Sequence, residues 1–282
     1  MNARPRRDPR EKMTPARLAG KELVQGNEAL AVFTVQPLEG EVPAFEAGQF
    51  TRLAWEWEGE VEQRTYSIAS APEQTDAMEF YIVDTRLGLG TSHLFSFPLE
   101  TPLWIAKPVG KFTFSKHWAP HLALVGSGTG VAPYVGMVRH LVDEAKAGRR
   151  TPQAVSVWHG VRSSIELGYR EEFEALEREA PFPFYYMPCV SRHHDEPDFD
   201  REKVNRGRVN EILAKTLGLA VSDDPRGIEF AERIDPEALR ASLPDSEDSL
   251  ILLCGNPAMI DAFEGVADGT SWADRTVYER WW

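Results

Sequence analysis

The stretch Leu122-Ala123-Leu124-Val125-Gly126-Ser127-Gly128-Thr129-Gly130-Val131-Ala132-Pro133 decides the reading of the fold. Four apolar residues, Leu122–Val125, predict a buried strand, and Val131–Ala147 has helix-like spacing. The glycines between them permit positive φ and close approach by a ligand, while the helix N-terminus offers unpaired N–H groups to a phosphate. Pro133 suits the first helical turn. The turn is not a Walker motif, because the Lys-Ser/Thr ending is missing. It is not G-x-G-x-x-G either, because Pro133 stands where the third Gly belongs. Gly128, Thr129 and Gly130 are therefore candidates for a nucleotide contact outside the NTPases and ordinary dinucleotide-binding dehydrogenases.

Downstream the alternation continues. Ala154–Trp158 predicts a strand, Ser164–Glu177 a helix, Phe184–Val190 a strand and Val209–Thr216 a helix, with Leu250–Cys254 and Thr276–Trp282 as two further strands. Strands alternating with helices predict a five-stranded parallel sheet with crossover helices over residues 118–282. Residues 218–248 interrupt this rhythm with nine acids and three prolines and read as a solvated acidic insertion.

Upstream the grammar differs. Ala29–Val35, Gln49–Trp57, Thr65–Ala69, Met78–Val83 and Leu103–Ala106 are short β-rich runs punctuated by Gly and Pro, with a helical stretch near Thr91–Phe97. They predict an antiparallel barrel over residues 22–117, with the boundary near Ser115–Pro120. Residues 1–21 carry seven Lys/Arg against two acids and read as a flexible basic arm.

Composition bounds the function. The 282 residues are 42% apolar and 27% charged, enough for two cored domains. The longest apolar runs are five residues, against the roughly 20 a membrane-spanning helix needs, so an integral membrane protein is excluded. The net charge of −13 argues against nucleic acid as partner. Cys189 and Cys254 alone can hold neither a disulfide scaffold nor an iron–sulfur cluster. No secretory signal core precedes the arm, and a cytoplasmic protein is expected. No heptad or long apolar face calls for assembly, so a monomer is expected. His193-His194-Asp195 reads as a solvated loop, and no metal site is expected.

Arg64-Thr65-Tyr66-Ser67 lies on one of the upstream strands, with Arg64 and Tyr66 facing one way and Thr65 and Ser67 the other. A guanidinium beside a phenol ring can bind a phosphate and stack on a planar ring, and the same pattern fits an ordinary strand with exposed polar positions. Followed by the Gly-rich turn, then Cys254-Gly255-Asn256-Pro257 and the ending Tyr278-Glu279-Arg280-Trp281-Trp282, the order resembles the ferredoxin–NADP reductase family. More narrowly it is similar to the bacterial ferredoxin (flavodoxin) reductases, from about Leu23 to Trp282.

The resemblance implies a Greek-key β-barrel binding FAD, then an α/β domain binding NADP(H). Arg64, with Thr65 beside it, would contact the FAD pyrophosphate, Tyr66 would stack on the isoalloxazine, and Ser67 would hydrogen-bond near flavin N5. Tyr81, Ile82 and Val83 resemble the second flavin-contacting strand, and Gly90-Thr91-Ser92 the pyrophosphate turn. Thr129 would lie against the flavin from the second domain. Trp281 would cover the flavin face that the nicotinamide must occupy, with Trp282 extending past it.

An NADP site must grip a 2′-phosphate, which arginine does well, whereas a carboxylate there selects NAD. Arg162, Arg192 and Arg208 follow or approach strand carboxyl ends, where open α/β sheets bind ligands, and resemble the family's phosphate-gripping positions. Cys254 reads as a packing group by itself; by resemblance it would sit beside the nicotinamide with Gly255, Asn256 and Pro257. Glu279 reads either as a surface acid or, by resemblance, as a proton-network member near the flavin.

The expected activity is hydride transfer between NADP(H) and FAD, with single electrons passing to or from a separate ferredoxin or flavodoxin. Arg52, Arg86, Lys107 and Lys111 are candidates for docking that acidic carrier. An oxygenase or flavin reductase component shares the same site, and a non-catalytic flavin sensor is the reading from another class.

Overall fold

The computed structural model describes residues 8–86, 89–221, 227–244 and 247–280. In the first domain, period-two alternation lays down β1 (Thr14–Val24), β2 (Asn27–Pro37), β3 (Phe50–Trp57), β4 (Glu60–Ser67), β5 (Met78–Val83) and β6 (Pro102–Ile105), with α1 (Leu89–Ser96) between the last two. Every pairing is antiparallel, in the order β4-β3-β6-β1-β2-β5. Just past β4, the Ala69 N–H donates to the Glu79 carbonyl on β5 (2.8 Å), which brings the two edges together. Leu18, Phe33, Leu53, Trp55 and Phe80 fill the interior.

The expected basic arm is corrected here. Asp8 caps a short 3-10 turn over Pro9–Lys12, and Arg10 pairs with Asp8 (2.7 Å) and lies over the Trp104 ring. β1 runs between β2 and β6, burying Ala16 and Leu18 while Arg17 faces outward; past a register shift Lys21 pairs with core Phe33 and donates to the Phe95 and Phe97 carbonyls (2.8 and 3.0 Å). Arg10 and Lys12 belong to the 3-10 turn and Arg17 and Lys21 to an interior strand of the sheet, so the barrel domain starts well before residue 22. Residues 1–7 lie outside the described residues.

The second domain comprises β7 (His121–Ser127), α2 (Ala132–Lys146), β8 (Ala154–Val161), α3 (Arg170–Glu179), β9 (Phe184–Val190), β10 (Asn205–Arg206), α4 (Val209–Thr216), α5 (Pro236–Ala241), β11 (Ser249–Gly255), α6 (Pro257–Ala267) and β12 (Thr276–Arg280). Its sheet is parallel throughout, in the order β10-β9-β8-β7-β11-β12; β10 adds two residues to the five expected strands. Helices cover both faces, so all eight residues of β8 are buried and its sequence shows no alternation.

Two further expectations change. The helix read over Ser164–Glu177 is split: Ser164–Glu166 forms a separate 3-10 turn, Tyr169 takes a left-handed φ of 59°, and α3 starts at Arg170. The acidic insertion is only partly solvated. Its described residues include α5 and bury Ala231, Leu239 and Leu243, because these few apolar side chains close the end of the core beside α4. Arg233 pairs with Glu177 (2.9 Å), and Arg240 donates to the Thr216 carbonyl (3.0 Å).

The two domains share a packed seam. Leu30 and Tyr81 of the barrel belong to the same apolar cluster as α2 and β7. Gly136 of α2 approaches so closely that a Cβ there would stand 2.5 Å from the Ser70 carbonyl oxygen. Arg139 of α2 reaches Glu79 of β5 (2.6 Å) and Glu172 of α3 (2.7 Å), and also donates to the Ala69 carbonyl.

Candidate functional site

The Gly-rich turn after β7 is a 3-10 turn, Gly128–Val131, leading directly into α2. Its glycines serve different ends. Gly128 takes φ +56° and lies open, whereas a Cβ on Gly130 would stand 2.4 Å from the Cys254 carbonyl oxygen. Gly255 takes φ +125° and packs on Ser127, whose Oγ accepts from the Asn256 N–H (2.9 Å). Asn256 in turn caps α6 by accepting from Ala258 N–H (2.9 Å), with Pro257 opening the helix. The two loops at the carboxyl ends of β7 and β11 are thus one interlocked unit.

That unit forms one wall of a cleft of about 750 Å³. Gly128, Thr129 and Asn256 line it, as do Arg162, Arg192 and Arg208 from the ends of β8 and β9 and the start of α4. The Arg192 N–H donates to the Arg162 carbonyl (2.9 Å), which holds those two loops together. The Arg192 and Arg208 side chains make no ion pair among the described residues, while neighbouring Arg206 is taken by Glu229. Arg162 is held by Glu166 (Nη2–Oε1 2.9 Å). Val83 and Asp84 of the barrel line the opposite wall, so the cleft lies on the seam between the domains.

On the barrel side, Arg64 lies across the first turn of α1. Its Nε is 2.5 Å from where a Cβ on Gly90 would be, so residue 90 must lack a side chain for the guanidinium to rest there. Its remaining contacts are Glu62 (3.0 Å) and the Gln63 carbonyl (2.7 Å). Thr65 is exposed, and half-buried Ser67 ends β4. Tyr66 packs edge-on to Phe80, and its hydroxyl is buried without a hydrogen-bond partner; burial pushes that phenol up. Gly90, Thr91 and Ser92 lie in the first turn of α1 itself. The Thr91 and Ser92 hydroxyls donate to the Asp84 carboxylate (3.5 and 2.8 Å).

The strand read as Tyr81-Ile82-Val83 divides. Ile82 points into the barrel core. The Tyr81 hydroxyl donates to the Glu166 carbonyl (3.2 Å) and accepts from the Gly168 N–H (3.0 Å), so it ties the barrel to the second domain. Period-two alternation sends Phe80 and Ile82 inward and Tyr81 and Val83 toward the seam, and of the three expected side chains Val83 lines the cleft.

Cys254 is fully buried beneath the Gly-rich turn. In the parallel pair β11–β12 it is the register partner of Glu279. Glu279 Oε2 is buried with no hydrogen-bond partner among the described residues, and loss of hydration raises this carboxyl from 4.5 to about 7. The adjoining Tyr134 hydroxyl donates to the Leu252 (2.6 Å) and Val125 (3.1 Å) carbonyls, tying α2 to β11 and β7. Trp281 and Trp282 lie outside the described residues.

Two residues of the site carry no motif, Arg139 as an ionic hub and Glu166 as the partner of Arg162, while Tyr81, expected on the flavin-contacting strand, serves as an interdomain tie. His159 is fully buried against the Tyr186 hydroxyl (3.2 Å), and burial lowers it to about 4, so it is neutral packing beneath the cleft. Arg64 resting on Gly90 suits a phosphate, and the Tyr66 hydroxyl and Glu279 Oε2 leave polar atoms for a bound group to satisfy, although none of these residues lines the 750 Å³ cleft.

Comparison with known proteins agrees with this layout. Residues 15–114 match the oxidoreductase FAD-binding domain family and residues 124–265 the oxidoreductase NAD-binding domain family. A ferredoxin–NADP reductase of Azotobacter vinelandii is 26% identical over 234 residues, 80% of this chain and 79% of that protein. The reductase component of propane 2-monooxygenase from Mycolicibacterium goodii is 24% identical over 238 residues, 84% of this chain and 59% of its own. Among solved structures, a Neisseria gonorrhoeae ferredoxin NADP+ reductase with bound FAD and NADP superposes with a TM-score of 0.71 at 20% identity, covering 95% of this chain and 98% of that one.

Proposed function

The chain belongs to the ferredoxin–NADP reductase family of FAD- and NAD-binding oxidoreductases, and from that premise we propose that it exchanges hydride with NADP(H) and single electrons with a small carrier such as ferredoxin or flavodoxin. One observation supports this reading above the others. A single cleft on the domain seam gathers an open Gly-rich turn and three arginines opposite the barrel strand that bears Val83.

FAD, when bound, supplies the conversion between two-electron hydride chemistry and one-electron transfer. The chain's own groups do the rest. Arg64 and the first turn of α1 bind the pyrophosphate, Tyr66 gives its ring face to the isoalloxazine, and Ser67 offers a hydroxyl near N5. Arg192 and Arg208, which make no ion pair among the described residues, grip the 2′-phosphate, and Arg162 adds a third guanidinium. Gly128 and Thr129 let the dinucleotide backbone run close to the sheet edge. Cys254, fully buried below the turn, supports the Gly-rich turn and Asn256, the groups that would face the nicotinamide. Glu279 Oε2, with its carboxyl at about 7, can hold or release a proton near neutral pH.

For the carrier, Arg52, Arg86, Lys107 and Lys111 are all exposed, and the Ala106 N–H to Arg52 carbonyl bond (2.9 Å) sets Arg52 beside Lys107. An acidic carrier would meet the adjacent Arg52 and Lys107 despite the overall charge of −13. The likeness to an oxygenase reductase component favours one alternative acceptor, an oxygenase in place of a soluble carrier.

The test is spectral. Purified protein with FAD bound should show oxidised flavin bands that bleach anaerobically, faster with NADPH than with NADH, and should then pass electrons to ferredoxin faster than to an oxygenase component. Protein that cannot be loaded with FAD would defeat the reading, and faster bleaching with NADH would defeat the arginine assignment.

A further inference from the structure

Glu166 is a carboxylate inside the cluster of arginines. Its Oε1 meets Arg162 Nη2 (2.9 Å) and Nε (3.1 Å), and its Oε2 accepts from the Arg162 backbone N–H (3.2 Å). It lines the same cleft as Arg192 and Arg208. The Arg162 side chain is 66% exposed, whereas that of Glu166 is 20% exposed, so the acid is the more deeply seated partner.

The turn bearing Glu166 cannot simply drift away. The Tyr81 hydroxyl from the barrel donates to the Glu166 carbonyl and accepts from the Gly168 N–H. The Asn27 amide donates to the Ile165 carbonyl (3.5 Å), and Glu196 accepts from both the Ser163 hydroxyl and the Ser164 N–H (2.7 Å each). A phosphate reaching Arg162 must therefore share one guanidinium with an anion whose backbone is pinned.

The geometry points to Glu166 as a specificity-determining residue that weakens binding of the 2′-phosphorylated dinucleotide and keeps the unphosphorylated one as a competent second substrate; this rests on the cleft being the nucleotide site. A 2′-phosphate carries nearly two negative charges at neutral pH and is repelled by the carboxylate beside it. A free 2′-hydroxyl is an uncharged donor that a carboxylate can accept. Arg192 and Arg208 pull toward NADP(H), Glu166 pulls back, and the preference is the difference between them.

Calorimetry with 2′,5′-ADP and 5′-AMP isolates this, because these fragments differ only in the 2′-phosphate and need no turnover. Glu166→Gln keeps the shape and an acceptor for the Arg162 N–H while removing the charge. It is expected to tighten 2′,5′-ADP about threefold to fivefold, the scale of one screened surface charge pair, and to leave 5′-AMP unchanged or weaker. The gain should shrink at about 0.5 M salt, where the screening length is a few ångströms. Glu196→Gln, which loosens the same turn from its other side, should not tighten 2′,5′-ADP.

Unchanged or weaker 2′,5′-ADP binding in Glu166→Gln would overturn the inference, making the acid only an orienting group for Arg162. An equal gain in Glu196→Gln, or one that survives high salt, would also overturn it. If neither fragment binds the parent protein, the cleft is not the nucleotide site, and the inference falls with that reading.

Discussion

Cys254 and Glu279 are register partners on adjacent parallel strands, and Oε2 of the second is buried with no hydrogen-bond partner among the described residues. The relationship puts a fully buried thiol and a partly dehydrated acid side by side on one face of the sheet, the face that carries α2 and meets the barrel.

The first prediction follows from the direction of the Glu279 shift. Burial raises the carboxyl from 4.5 to about 7, so the folded protein holds this proton more tightly than the unfolded chain. Stability is then lost as pH rises from 4.5 to 7 and is level above that. The ionised group costs on the order of 3 kcal/mol at pH 8. Glu279→Gln should be more stable than the parent at pH 8 and equal to it at pH 4.5, read by urea unfolding at both values.

Two glycines on helices should respond in opposite ways. Gly136→Ala adds a methyl 2.5 Å from the Ser70 carbonyl oxygen and should cost about 1–3 kcal/mol despite the better helix propensity. Gly265 of α6 has nothing within 4 Å of its would-be Cβ, and Gly265→Ala should gain about 0.5–1 kcal/mol. Thermal melts of the two variants check both signs.

Arg139 joins Glu79 of the barrel to Glu172 of the second domain, with its side chain 25% exposed. Arg139→Gln leaves two carboxylates without their shared cation and should cost about 2 kcal/mol, more than any exposed pair such as Arg149–Glu144. Adding Glu79→Gln and Glu172→Gln should recover part of that loss in urea titrations.

Arg192→Ala and Arg208→Ala should each raise the KM for NADPH about tenfold, the scale of one charge-assisted hydrogen bond. The KM for NADH should change less than about twofold, because the unphosphorylated ribose does not need that charge. Steady-state kinetics with a dye acceptor and both nucleotides reads the split.

Much of this was legible in the residues. Met78–Val83, Phe184–Val190 and Val209–Thr216 have the bounds that periodicity predicts. Arg162, Arg192 and Arg208 lie on one cleft because strand-end position in a parallel sheet is a property of chain order. Where reading failed, a louder local signal masked a quieter one. In Thr14–Val24 the seven Lys/Arg of residues 1–21, two of them on the strand itself, hid the alternation of Ala16 and Leu18. In Ser164–Glu177 continuous helix-like spacing hid the left-handed Tyr169 that splits the segment.

The sequence by itself determined the two grammars and their order, the Gly-rich turn and the arginines after each strand, since these are matters of period and punctuation along one chain. Only the tertiary structure decided that Tyr81 ties the domains, that Arg139 bridges them, and that Glu166 faces Arg162 within the cleft. Residue type and spacing report which face of an element is apolar. They carry no record of which distant backbone group will satisfy a hydroxyl, or which carboxylate will stand beside a guanidinium, until the two domains pack along their seam.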